Sequence, residues 1–230
     1  MTRYLLGRTV EGMRIVIAGG HGQIALRLER LLAARGDEVA GIIRRAEQGD
    51  DLRDAGAEPV LLDLESASVE EVADRLRGAD AAVFAAGAGP GSGAARKDTV
   101  DKAAAVLFAD AAVRAGVRRF LIVSSMGADP KREGDEIFDV YLRAKGEADA
   151  YVSGLDALDC TVLRPGALTD DAGKGLVRLE AQTGRGPVTR DDVAAVLAEL
   201  LDTPATAGLT LELIGGSTPV SVAVKSVAGN

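Results

Sequence analysis

Cysteine, histidine and tryptophan are nearly missing from this 230-residue chain: it has one Cys, one His and no Trp. With Cys160 alone no internal disulfide can form, which fits a reducing compartment, and a cytoplasmic location is the expectation. Cys160 lies in the apolar-leaning run LDCTVLRP and reads as a buried strand residue rather than a nucleophile. The lone His21 has no second imidazole to share a metal ion with, so no metal centre is expected. Aromatic residues make up only 3% of the chain, so its core must be assembled from Ala, Val, Leu and Ile. Such a core suits a parallel sheet covered by helices on both faces. No apolar stretch approaches the roughly 20 residues that span a bilayer. Basic residues are in deficit, 27 Lys and Arg against 35 Asp and Glu, for a formal charge of −8. That excludes the basic footprint of a nucleic-acid binder and reads as a device for solubility.

What is present is a regular alternation. Hydrophobic residues make up 47% of the chain, enough for a sizeable core. MRIVIA (13–18), EVAGIIR (38–44), PVLLDL (59–64), DAAVFAAG (80–87), RRFLIVSS (118–125), DCTVLRPG (159–166) and LTLELIGG (209–216) read as strands. Between them, 25–35, 68–78, 98–115, 136–153 and 188–202 have helical spacing or helix-start signals. The fold class expected is therefore α/β, a doubly wound, mostly parallel Rossmann-type sheet, as one domain over 13–230. Residues 1–12 lack the long apolar centre of a signal peptide and read as an extension ahead of Met13, with disorder expected. Residues 167–187 show no clear period and form the candidate for a very small substrate-side lobe, and the tail from 219 is ambiguous.

The stretch AGGHGQIA follows the first strand and opens the first helix. In a doubly wound fold a dinucleotide diphosphate sits at this crossover, on the amides of the helix start. Gly19 permits the tight turn, Gly20 and Gly22 let a phosphate approach the backbone, and Ala25 is small enough for close helix–strand packing. His21 between the glycines, with Gln23 and Ile24 after them, completes the expected contacts. At the end of the second strand an acidic residue would select NAD, but this chain has Arg44 and Arg45, which favour the 2′-phosphate of NADP. Asp63, with Leu64 beside it, ends the third strand and is a candidate for the adenine amino group, although strand-terminal Asp is also a common cap.

These pieces, together with FAAG, LIVSSMGAD, YLRAK, TVLRPGALT and RDDVAAVLAELL, resemble the short-chain dehydrogenase/reductase family in its atypical NAD(P)H-binding, epimerase-like branch. Tyr141 and Lys145 match the family's Tyr-x-x-x-Lys, and residues four apart share a helix face. The resemblance implies that Tyr141 exchanges a proton with the substrate oxygen, that Lys145 also holds the nicotinamide ribose, and that Ser125 orients the substrate, with Ser124 the alternative. It also implies that Ala85, Ala86 and Gly87 pass the cofactor, and that Pro165 and Gly166 after Arg164 lie near the nicotinamide amide. Asp101 falls where many relatives carry a relay asparagine; an ionised Asp accepts but does not donate there.

The implied activity is hydride transfer between NADP(H), or less favourably NAD(H), and a small carbonyl or hydroxyl compound. An epimerase, a cofactor-sensing regulator of the NmrA type and a flavin or quinone reductase remain alternatives. The 87–93 glycine loop reads as a lid, and Arg185 and Arg190 as solvated arginines or as contacts for an anionic substrate. No nucleic-acid or membrane partner is expected, and both a monomer and a homodimer through the two long helices are open.

Overall fold

The computed structural model describes residues 4–5, 8–9, 12–87, 89, 93 and 96–229. At the N-terminus β1 (Tyr4–Leu5) pairs with β2 (Arg8–Thr9); the rest of the expectation for residues 1–11 lies outside the described residues. The lid expectation likewise falls outside them, except at Gly87, Gly89 and Gly93.

The strands are β3 (Arg14–Ala18), β4 (Glu38–Ile43), β5 (Glu58–Leu61), β6 (Ala81–Phe84), β7 (Arg119–Val123), β8 (Asp159–Pro165), β9 (Ala167–Thr169), β10 (Leu176–Glu180), β11 (Pro187–Thr189), β12 (Thr210–Gly215) and β13 (Thr218–Pro219). Nine of them form one sheet in the order β13-β10-β12-β8-β7-β6-β3-β4-β5. From β12 to β5 every pairing is parallel, while β10 is antiparallel to both its neighbours. The chain winds outward from β3 through β5, then returns to place β6 on the other side of β3. The crevice at the carboxyl ends of β3 and β6 is thus a topological switch point, where such sheets bind ligands.

Successive residues of a strand face opposite sides, and here both sides are buried. Ile15 and Ile17 pack with α1 (Gln23–Ala34), α6 (Arg190–Leu201) and α7 (Val220–Ala228). Val16 and Ala18 pack with α3 (Val69–Leu76), α4 (Ala104–Ala115) and α5 (Ile137–Ser153). Three of the few aromatics, Phe84, Phe108 and Phe120, pack in tilted pairs in that second layer with centroids 6.1 and 5.8 Å apart. Cys160 is buried in β8, and burial pushes its thiol up to about 12.

Three local differences from the expected elements stand out. The helix expected over 98–115 is split: Lys97–Ala103 is a π-helical segment, and α4 follows, closed by Gly116 at φ +77°. Short π segments widen a helix and often accompany functional sites. A short helix, α2 (Gly49–Asp54), anchored by buried Leu52, stands where no element was expected. The segment 167–187, which shows no clear period in the sequence, carries regular strands. LVRLE within it alternates exposed and buried residues and supplies the antiparallel strand β10, with Val177 and Leu179 in the core. The run opens on two apolar residues, Leu176 and Val177, so strict alternation is broken at its start in the sequence. No described helix is long and apolar enough to cross a membrane.

Candidate active site

The site starts from the crossover between β3 and α1. Gly19 adopts φ +78°, and a Cβ there would lie 2.6 Å from the Cα of Ala86 at the end of β6. The amide of Gly22 donates to the carbonyl of Gly19 at 2.8 Å, closing the turn. Gly22 is the N-cap of α1 and brings no side chain to it, and the first turn carries no acidic residue. By contrast α3 and α6 are capped by Ser68 and Thr189 and hold acidic residues in their first turns. The amides opening α1 therefore have neither an intrahelical acceptor nor a side-chain cap, an arrangement that receives an anion. A bare glycine turn backed by an uncapped helix fits a diphosphate.

Gly20 does not line this groove. Its amide donates to Ile42 at 3.0 Å, and a Cβ there would press on Gly41 and on the Oε1 of Glu29. It is a packing glycine, which corrects the expectation of a phosphate contact. The Glu29 carboxyl behind it is fully buried, with no hydrogen-bond partner for either oxygen, and burial raises its pKa to about 8. His21 borders the groove and places Nε2 2.7 Å from the Oδ2 of Asp51.

The groove has two lobes of about 210 and 610 Å³ that share Gly22, Ala85, Ala86 and Gly87. Arg44, Asp63, Leu64, Glu65 and Arg96 wall the smaller lobe. Arg44 Nη1 lies 3.7 Å from the Glu65 carboxylate, and Arg96 Nη2 lies 2.7 Å from it. Thr99 donates to the same group at 2.7 Å. Two guanidinium groups thus face one carboxylate at this end. Arg45 stays outside the groove, exposed and 3.5 Å from Glu47, because successive strand-end residues point to opposite sides. Asp63 spends its Oδ1 on the amide of Glu65 at 3.0 Å while still facing the lobe.

The larger lobe holds Gln23, Ile24, Lys97, Asp101, Ser124, Tyr141 and Lys145. Lys145 reaches inward from α5, buried, donating to Val123 at 3.1 Å and to Ala86 at 3.5 Å. Its Nζ is 3.4 Å from the Oδ1 of Asp101. The other oxygen of Asp101 lies 3.9 Å from Lys97, whose Nζ also donates to Gly89 and stands 5.1 Å from the centre of the Tyr141 ring. Phe138 stacks on Tyr141 with centroids 6.0 Å apart. Ser124 donates to Asp149 at 2.7 Å, and Arg164 grips the same carboxylate at 2.9 Å. Burial pushes the Asp149 carboxyl up, against the opposing pull of Ser124, Arg164 and Lys145.

A family model for NAD(P)H-binding proteins matches residues 19–204. The chain belongs to the NAD(P)H-binding family. The Bacillus subtilis protein YhfK, named as an uncharacterized sugar epimerase, is 35% identical over 216 residues, 94% of this chain and 100% of that protein. A Bacillus halodurans protein named as an NAD-dependent epimerase/dehydratase shares 36% identity at a TM-score of 0.86, with 94% of this chain and 100% of that one covered. ChuY of Escherichia coli O157:H7, named as an anaerobilin reductase, shares 26% identity at a TM-score of 0.74, covering 88% and 97%. Family membership makes a nicotinamide nucleotide this chain's cofactor, and the relatives carry reductase and epimerase names.

Around this groove the expected Gly19, His21, Gly22, Gln23, Ile24, Arg44, Asp63, Leu64, Ala85, Ala86, Gly87, Ser124, Tyr141 and Lys145 are brought together. Three further expectations are corrected. Ser125 lines neither lobe, and its hydroxyl turns to the carbonyl of Met126 at 3.4 Å. The serine on the wall is Ser124, since adjacent residues leaving a strand face opposite ways. Pro165 and Gly166 also lie off the groove. Pro165 accepts from Met126, and a Cβ on Gly166 would strike the carbonyl of Gly186, beside the β9–β11 pairing. Sequence reasoning missed Lys97, Arg96 and Glu65. A Lys and an Asp four apart was the available signal for Lys97, and such pairs are too common to single out without the π-helical turn.

Proposed function

We propose that this chain is an NADP-dependent oxidoreductase acting on a small carbonyl or hydroxyl compound. The observation that carries the reading is the convergence of Tyr141, Lys145 and Ser124 on one lobe of a groove whose middle is the bare Gly19–Gly22 turn. A bound nicotinamide cofactor supplies the hydride chemistry. The amides of Gln23 and Ile24 would hold its diphosphate, and Arg44 and Arg96 would take the 2′-phosphate at the far end. Lys145, held by two backbone carbonyls and Asp101, would hold a ribose hydroxyl, and Lys97, 5.1 Å from the centre of the Tyr141 ring, would keep positive charge near the phenol. Tyr141 exchanges a proton with the substrate oxygen. Ser124 commits its proton to Asp149, so its oxygen meets a substrate hydroxyl as an acceptor.

The same groups serve an epimerase that passes through a ketone, in keeping with the names of two relatives. The test is Tyr141→Phe. It should lower NADPH oxidation across a carbonyl panel by about 10²–10⁴-fold, the usual range for a positioned acid or base, with nucleotide affinity intact. An unchanged rate would overturn the role of the phenol. Tight NADP binding by the wild type with no turnover on any carbonyl would replace the enzyme with a nucleotide sensor.

A further inference from the structure

Beyond the reacting groups, the larger lobe has an uneven wall. Ile137 and Phe138, in the first turn of α5, are 57% and 60% exposed, and Leu168 of β9 is 39% exposed; all three line this lobe. Large apolar side chains left in water beside a concavity mark a place where something apolar sits. The Phe138 ring packs on Tyr141 by one face and is open on the other side, so a second ring could extend the stack.

The same lobe is positively charged. Its described lining residues include three cations, Lys97, Lys145 and Arg190, and one carboxylate, Asp101, in a chain of net charge −8. The two lysines are committed to Asp101. Arg190 is not. It opens α6, and its partner is Asp170 at 2.9 Å, a carboxylate that also lies 3.7 Å from Arg27. The Asp170 side chain is 71% exposed and that of Arg190 only 23%, so the carboxylate can return to water while a ligand carboxylate takes its place on a guanidinium already held at the wall. Arg185, the other arginine weighed for this role, is exposed and lines neither lobe.

Resting on the oxidoreductase reading of this site, we propose that the substrate is an aryl or similarly apolar carbonyl compound bearing a carboxylate. Its apolar body lies on Ile137, Phe138 and Leu168, and its anion is held by Arg190 in place of Asp170. A sugar would leave this rim facing hydroxyl groups and would not repay the exposure of three large apolar residues.

The test uses three ketones: 3-benzoylpropionate, its methyl ester and D-fructose. Each is titrated by calorimetry into the full-length protein with and without NADP, and each is then offered as a substrate with NADPH. 3-Benzoylpropionate should bind about tenfold more tightly than its ester, as expected for one charge-assisted pair, and fructose should bind least. Arg190→Gln should bring the acid down to the level of the ester, and Arg190→Lys should restore part of the difference. Phe138→Ala should weaken both aryl probes by a similar factor, about fivefold or more for a lost ring contact. Equal binding of acid and ester by the wild type, an acid preference that survives Arg190→Gln, or tighter binding of fructose would each overturn the proposal. Binding in the expected order without NADPH oxidation would sustain the ligand class and overturn the oxidoreductase reading, so the two failures are distinguishable.

Discussion

The Nζ of Lys145 lies 3.4 Å from the Oδ1 of Asp101, and both side chains are buried. Asp101 stands between this lysine and Lys97, so one carboxylate holds two cations at the wall of the chamber. Asp101 is thus the counter-charge of both lysines.

Asp101→Leu should leave Lys97 and Lys145 without that carboxylate and destabilise the fold by about 3–5 kcal/mol, the usual cost of breaking a buried ion pair. Adding Lys97→Met should recover part of the loss. Urea unfolding of the single and double variants measures the coupling; strict additivity would show that the two residues act independently.

Cofactor choice should depend on Arg44 and Arg96. Replacing either by Ala is expected to weaken NADP by about tenfold, as for a lost charge-assisted phosphate contact, with a much smaller effect on NAD. Arg45→Ala should leave both nucleotides unaffected, since Arg45 pairs with Glu47 outside the groove. Glu65→Gln should strengthen NADP by freeing both arginines. Fluorescence titration with the two nucleotides reads this out, and equal losses for NAD and NADP would remove these residues from phosphate recognition.

Glu29 gives the protein a pH dependence of definite sign. Its carboxyl is held up at about 8 by burial, against an ordinary value of 4.5. Between those values the folded state keeps a proton that the unfolded chain gives up, so this group makes stability fall as pH rises. By pH 8–9 the cost is on the order of 4 kcal/mol. Glu29→Gln removes the ionisation, so its stability relative to wild type should climb from pH 4.5 to 8 and then level off. Thermal melts across that range provide the check; a flat difference curve would mean that Glu29 ionises freely in the fold.

Arg119, buried at the start of β7, donates to the carbonyls of Asp159 and Leu200 and to the hydroxyls of Thr161 and Thr206. Burial lowers its pKa, yet these acceptors hold it. Arg119→Ala should strand them and cost about 3 kcal/mol or more, measurable by denaturant unfolding, with nucleotide binding preserved because the network lies at the opposite end of the sheet strands from the groove.

Cys160 should resist thiol reagents in the folded protein at pH 8, since the thiolate is the reactive form and burial raises the thiol to about 12. A colorimetric thiol assay should report no free thiol until denaturant is added; rapid labelling of the native protein would contradict the packing around β8.

Much of this protein is written in short-range patterns. Aliphatic runs of period two, amphipathic runs of period 3.6 and the glycines of residues 19–22 are set by local sterics and burial, so the sheet, its helices and the glycine turn are legible from the residues alone. The Tyr141–Lys145 pair is legible for the same reason, because residues four apart on a helix must share a face. The rest needed the tertiary structure. Whether Ser124 or Ser125 meets the chamber depends on the phase in which β7 ends. Whether Arg45 or Arg96 joins Arg44 depends on which element crosses the end of β5. That Asp101 also meets Lys145 depends on how the π-helical segment sits against α5. These are contacts between distant parts of the chain, fixed by the order of strands and the rotation of helices, and no local periodicity encodes them.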